Sequence, residues 1–384
     1  MRTLFCALVL ASNAGICQEP GEPLPAWSRG MFDIHQIHTG RGNAALLVFP
    51  DGTTALVDAG AVPDRKGPEI GPQRPNASRT PAEWIVHYIR QFAGRDPASL
   101  DYAIVTHYHD DHMGAVSSVA AAIPIRVLID RGTNPAPPDF EIVRRFFEFR
   151  RAFEGKVEEL QPGRADQIVA VRTGAQYPGF EVRNVAANGT VWTGSESTAA
   201  TRFPKAWREL PVEFQPAENH FSLALRIRYG RFDYFTGGDL VGVPLDELPE
   251  WHDLETPVAQ AIGAVDVAVL NHHGWLDTTN PFFLRMLQPR VIVIPAWHAT
   301  HPDHSVLRRL RSRRLRPDPP DLFITSLLDA PRGVFSYLGE SFRSTEGHIV
   351  VRVEPGGARY SVVILDDQQE MPAVKTVHGP YESR

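Results

Sequence analysis

The run His107-Tyr108-His109-Asp110-Asp111-His112 places three histidines and two aspartates within six residues. Ionisable side chains at that density would be costly to gather out of water without a cation between them. Two histidines one residue apart can chelate one ion from an extended loop, and an aspartate just ahead of a third histidine can reach a second ion beside it. His107, His109, Asp111 and His112 supply this spacing; the competing reading is a solvated polar loop. The two cysteines of the chain, Cys6 and Cys17, both lie at its N-terminus. Any metal in the body of the protein must therefore be held by His, Asp or Glu.

Two ions that keep positions open to substrate need further ligands, including a carboxylate shared between them. Asp239 follows the apolar run Tyr234 to Thr236 and the pair Gly237-Gly238. It is the expected bridge, and otherwise an ordinary turn aspartate. His220, just before the apolar run Phe221 to Ile227, is expected to complete the first ion. His272 and His273 close another apolar run, and in an extended segment adjacent side chains point opposite ways. One of them is therefore expected to be a ligand. His273 is assigned to the second ion and His272 to the substrate as general acid or oxyanion contact, an assignment open to reversal.

These groups recur where apolar strands stop, the place where α/β sheets carry their chemistry. Strands are predicted over Phe32 to His38, Ala44 to Phe49, Thr54 to Val57 and Tyr102 to Val105, and later over Phe232 to Thr236, Val265 to Leu270 and Arg290 to Pro295. Thr80-Pro81-Ala82-Glu83 reads as a capped helix start, with Trp84, Ile85, Tyr88, Ile89 and Phe92 following at helical spacing. A helix over Phe140 to Phe153 and a hairpin at Asn188-Gly189 are expected within a less regular insertion, about 131–215. There Trp192, Phe203 and Trp207 read equally well as cleft wall or as core. Arg308 to Arg316 holds six arginines. Val306, Leu307 and Leu310 share one face of that stretch, so a solvated amphipathic helix is expected rather than a phosphate site.

With 43% apolar and 22% charged residues, the 384-residue chain is of globular composition. One elaborated domain is expected over 31–366, with a leader at 18–30 and a tail at 367–384. Met1-Arg2, the apolar run Thr3 to Ala11 and small residues up to Cys17 form the pattern of a secretory signal peptide over 1–17. Export to the periplasm or beyond is therefore expected. A lipid-anchored start at Cys17 is disfavoured by Ile16, which stands where a lipoprotein signal carries a small residue. No later segment approaches the roughly 20 apolar residues of a membrane span. Loss of 1–17 removes one charge, Arg2, and takes the net charge from -6 to -7. That opposes nucleic-acid binding by the surface as a whole.

Thr106-His107-Tyr108-His109-Asp110-Asp111-His112-Met113-Gly114 resembles the signature of the metallo-β-lactamase superfamily. The resemblance implies an α/β fold, a four-layer αββα sandwich with a dimetal site at one sheet edge. Thr39 to Ala44 with Asp58-Ala59-Gly60, Glu218 to Leu223 with Gly238-Asp239, and His272-His273-Gly274 are similar to the hydrolase domain of the ComEC competence protein and to secreted phosphorylcholine esterases. The competence branch has Gly-Gln-Gly-Asp where this chain has Gly40-Arg41-Gly42-Asn43, and its channel-forming membrane helices are not in this sequence, so DNA transport is not expected. That branch often has Asn at the position of His220, and a His restores the fuller ligand set. His301-Pro302 resembles the branch's His-Pro element and implies a place for His301 or His298 at the substrate cleft.

The expected chemistry is attack on an ester-like centre by a hydroxide held between two divalent ions, zinc or else manganese, and oriented by Asp111. A phosphodiester is the preferred substrate, with lactone or β-lactam opening as the alternative. An exported binding protein with structural metals is the reading from another class.

Overall fold

The computed structural model describes residues 19–384 apart from 64–66, 96–97, 173–176, 178, 246 and 339–341. The expected signal peptide lies outside the described residues. Six strands come from the first part of the chain: β1 (Phe32–Gln36), β2 (Ala44–Val48), β3 (Thr54–Ala59), β4 (Leu100–Ile104), β5 (Ile125–Asp130) and β6 (Lys156–Glu159). Nine follow: β7 (Phe180–Ala187), β8 (Thr190–Trp192), β9 (Ala199–Thr201), β10 (Ala224–Tyr229), β11 (Phe232–Thr236), β12 (Val267–Val269), β13 (Val291–Ile294), β14 (Asp321–Ile324) and β15 (Phe342–Ser344). The last three are β16 (His348–Val353), β17 (Arg359–Leu365) and β18 (Val374–Glu382).

They form two mixed sheets, ordered β18-β17-β16-β1-β2-β3-β4-β5-β6 and β15-β14-β13-β12-β11-β10-β7-β8-β9. Between the sheets lies an apolar layer that includes Phe32, Leu47, Val57 and Ile104 from the first and Leu225, Tyr234, Val269 and Val293 from the second. Helices α1 (Pro81–Phe92), α2 (Asp110–Met113), α3 (Val116–Ala122) and α4 (Glu141–Ala152) belong to the first half. Residues of α1, α3 and α4 cover the outer face of the first sheet. Helices α5 (Glu255–Ile262), α6 (Pro281–Leu287) and α7 (His304–Leu310) do the same for the second. The expected αββα order is thus met, because each sheet has two apolar faces to bury.

Local signals were accurate where chemistry is local. Thr80 and Glu83 form a reciprocal capping box, with Pro81 at the first helical position, worth about 1 kcal/mol to the start of α1. Asn188 and Gly189 both take positive φ, 53° and 70°, as a tight hairpin turn between β7 and β8 requires. Other expectations change. The expected insertion at about 131–215 supplies β6 to one sheet and β7, β8 and β9 to the other. The expected tail contains β18, which pairs antiparallel with β17, and the leader joins it through Pro23 and Ala373. Val362 to Leu365 form an unbroken apolar run that is buried throughout and needs a sheet partner on its far side, which composition alone does not reveal. Helix α7 ends at Leu310 and buries Val306, Leu307 and Leu310 as expected. However, Arg309 bonds to the carbonyls of Thr278 and Thr279 and Arg316 to that of Pro289, so the arginine run is not one solvated helix. Among the described residues no helix is long and apolar enough to cross a membrane.

Candidate metal centre

Strands β3 to β6 run parallel, as do β11 to β15. Their C-terminal ends bring Asp58, the 105–112 loop, Asp239 and the turn 271–274 to one edge. Two sets of donor atoms converge there, each within 4.8 Å: His107, His109 and Asp239, and Asp111, His112, Asp239 and His273. Nε2 of His107 lies 3.1 Å from Nδ1 of His109 and 3.6 Å from Oδ2 of Asp239. The other oxygen of Asp239, Oδ1, lies 3.0 Å from Nε2 of His112. One carboxylate therefore faces both sets, the geometry of a shared ligand.

The tautomers test whether cations fit. Nδ1 of His273 donates to the carbonyl of Pro295 at 2.9 Å, so its Nε2 carries a lone pair in the neutral ring. Nδ1 of His112 donates to Oδ2 of Asp58 at 2.7 Å, which fixes the same tautomer. These two Nε2 atoms are 3.2 Å apart. Nε2 of His273 also stands 2.9 Å from Oδ2 of Asp111. Oδ1 of Asp239 is buried without a hydrogen bond of good geometry. Acceptors thus face acceptors, an arrangement that positive charge must hold together. The protonation balance agrees. Burial alone would raise Asp239, but His112, His272, His273 and His107 hold it well below the usual carboxylate range. Burial would likewise depress His112, yet Asp239, Asp111 and Asp58 push it well above the ordinary histidine value. A proton on His112 does there what a cation would do better.

Asp58 is the main functional residue that the sequence reading left without a role. Besides His112 it accepts from the backbone and hydroxyl of Thr106, at 2.8 and 2.9 Å, and from Asn43 at 3.0 Å. Its motif neighbour Gly60 lies against the site's backbone, where a Cβ would come within 2.0 Å of the Asp111 carbonyl oxygen. That carbonyl accepts from the backbone of Asn43 at 2.7 Å. The 39–44 and 58–60 segments therefore cradle the metal loop. Glu218 ties it from the other half, accepting from the backbone of Tyr108 at 2.9 Å while buried Arg131 grips it with two bonds of 2.7 Å.

His272 and His273 point to different places, though not by strand alternation. Both have positive φ, 47° and 54°, inside a tight turn. His273 enters the cluster; His272 is held by Asp277 at 2.8 Å and stands 3.7 Å from Asp239. Burial lowers His272, but Asp239 and Asp277 outweigh it and bring it up to about 9. His220 falls in neither convergent set. His252 donates Nε2–H to the carbonyl of Phe214 and so offers Nδ1 as an acceptor to Nε2 of His220, 2.8 Å away. The consequence is that Nδ1 of His220 is a buried lone pair with no partner among the described residues, and burial, then His252, lowers this imidazole to about 3. His301 is buried and stacks on His273, with ring centroids 4.6 Å apart, and Trp297 packs edge-on against both. His298 sits beside His301 and bonds to Thr300. Trp192 and Phe203 are core, packed with Phe221 and Phe235.

The family model for the metallo-beta-lactamase superfamily matches residues 38–186, which include the histidine motif. Among solved structures, the chain is similar to CmlA, a diiron beta-hydroxylase from Streptomyces venezuelae, at 15% identity over 80% of this chain and 54% of that one, with a TM-score of 0.43. It is also similar to a motif mutant of the metallo-beta-lactamase from Cronobacter sakazakii, at 14% identity over 65% and 79% of the two chains, with a TM-score of 0.31. The chain spans about half the length of the CmlA chains it matches. No curated protein matches the sequence.

Proposed function

We propose that this chain, whose residues 38–186 match the family model for the metallo-beta-lactamase superfamily, is an exported dimetal hydrolase of ester-like bonds, with phosphodiesters preferred. The observation that carries this reading is the pair of imidazole lone pairs on His112 and His273, held 3.2 Å apart against two carboxylates. Two divalent cations bound there would supply Lewis acidity and a water acidic enough to attack near neutral pH. Imidazole and carboxylate donors suit zinc first and manganese second.

His107, His109 and Asp239 would hold one ion, and His220, outside that set, is proposed as a further ligand to it. Asp111, His112, His273 and Asp239 would hold the other, and Asp111 would also orient the attacking water. His272, braced by Asp277 and by Asn219 at 3.2 Å, faces the substrate and steadies oxygen charge. His301, Trp297 and His298 wall the cleft on the side of His273. A shared carboxylate between two ions suits in-line displacement at phosphorus, and this substrate preference follows the likeness to the ComEC hydrolase domain and the phosphorylcholine esterases. Lactone or β-lactam hydrolysis is the second reading, since the same groups serve a carbonyl.

Metal analysis should find two ions per chain. Rates on bis(p-nitrophenyl) phosphate, a lactone and a β-lactam then separate the readings. Faster phosphodiester cleavage supports the first, faster ring opening the second. Inertness of the two-ion protein toward all three would refute both and leave a binding protein with structural metals. Export is tested by N-terminal sequencing of protein recovered outside the cytoplasm, which should begin after residue 17.

A further inference from the structure

A second concave site lies at the opposite end of β13 from the metal centre. Arg290 directly precedes that strand and Asp321 opens β14, whereas Trp297 and His298 follow the other end of β13. The strand rise puts the two sites on the order of 20 Å apart. The cavity is about 660 Å³, lined by Arg285, Arg290, Arg316, Arg343 and Arg384 against two aspartates, Asp318 and Asp321. This volume falls in the range of small-molecule pockets. The lining is unexpected on a chain of net charge -6.

The carboxylates neutralise it only in part. Asp321 pairs with Arg343 at 2.8 Å and accepts from the hydroxyl of Tyr381 at 2.9 Å, which leaves Arg285, Arg290, Arg316 and Arg384 against Asp318. Arg316 is 9% exposed, and among the described residues its guanidinium makes one hydrogen bond, to the carbonyl of Pro289, and no ion pair. Arg290 lies over the Tyr381 ring with its guanidinium carbon 5.4 Å from the ring centroid. Burial, and then the like charge of Arg384, lower Arg316 to about 10. A largely buried guanidinium whose remaining donors open onto a cavity lined by other guanidinia suits an anion with several oxygens, which planar Arg forks bind two at a time.

We propose that this cavity binds a small soluble polyphosphate, at a site separate from the metal centre. The test is isothermal titration of the full chain, stripped of metal so that the first site does not compete, with inorganic tripolyphosphate at physiological salt. Saturable binding is expected, weakened at least tenfold by Arg316→Ala and by Arg290→Gln, and unchanged by Asp239→Ala. Arg290 is exposed, so its replacement leaves the fold intact should Arg316→Ala destabilise it. Equal binding of sulfate at matched ionic strength, tighter binding of a single-stranded oligonucleotide, insensitivity to both arginine variants, or loss in Asp239→Ala would each overturn the proposal.

Discussion

Replacing Asp58 with Asn changes one atom and should cost the second ion much of its affinity. Asp58 has φ 61°, a left-handed conformation that Asn tolerates nearly as well as any non-glycine residue, so the backbone is spared. In the native site Oδ2 of Asp58 takes the proton on Nδ1 of His112 at 2.7 Å and thereby leaves the Nε2 lone pair free. An amide nitrogen at either position meets a donor, the backbone N–H of Thr106 at Oδ1 or Nδ1–H of His112 at Oδ2, and a neutral amide oxygen accepts less strongly than a carboxylate. Nδ1–H of His112 is therefore held more weakly or displaced. Its Nε2, which faces Asp239 and His273 at 3.0 and 3.2 Å, becomes a poorer ligand, and no ligand at all once the proton moves to it. The loss of such a supporting partner is expected to weaken metal affinity about 10- to 100-fold, or roughly 1.4 to 2.7 kcal/mol. Zinc titration of the metal-free protein against a chromophoric chelator reads both affinities, and circular dichroism checks the fold. Wild-type affinity for both ions in a folded Asp58→Asn protein would refute the tautomer argument.

Further perturbations probe other parts of the site. Asp239→Ala removes the carboxylate common to both sets, so turnover should fall by more than the roughly 100-fold upper range for a supporting partner, with circular dichroism unchanged; full activity would remove Asp239 from the site. Glu218→Ala strands the buried Arg131 and should lower unfolding free energy by about 3–5 kcal/mol, read by urea denaturation, with a shift under 1 kcal/mol counting against it. Gly60→Ala drives a Cβ into the Asp111 carbonyl and should impair metal binding before it unfolds the chain, which chelator titration measures. Asp367 accepts from Nδ1 of His38 at 2.6 Å. Burial opposes its charge, but this bond and nearby positive charge lower it from 3.8 to about 2. A depressed acid stabilises the fold above its unfolded pKa, and that contribution is lost as pH falls from about 3.8 toward 2, here roughly 2 kcal/mol. The stability difference between wild type and Asp367→Asn should shrink over that window, and parallel curves would contradict the assignment.

What the sequence could determine by itself was whatever neighbours in the chain decide. The capping box at Thr80 and Glu83, the Asn188-Gly189 turn and the chelating spacing of 107–112 are local, and each appears in the structure where the residue types required it. Asp239 and His273 were legible because glycines and apolar runs mark where a strand must stop. Tertiary structure decided the rest. That His273 and not His272 enters the cluster follows from two left-handed residues in a turn, which no alternation rule describes. The roles of Asp58 and Glu218 depend on partners 54 and 110 residues away in sequence, brought near only because both sheets present their parallel strand ends to one edge. His220 carries the plainest lesson. Its residue type suggested a ligand, but the direction of its lone pair was set by His252 and the Phe214 carbonyl, and a lone pair's direction is a property of packing rather than of spacing.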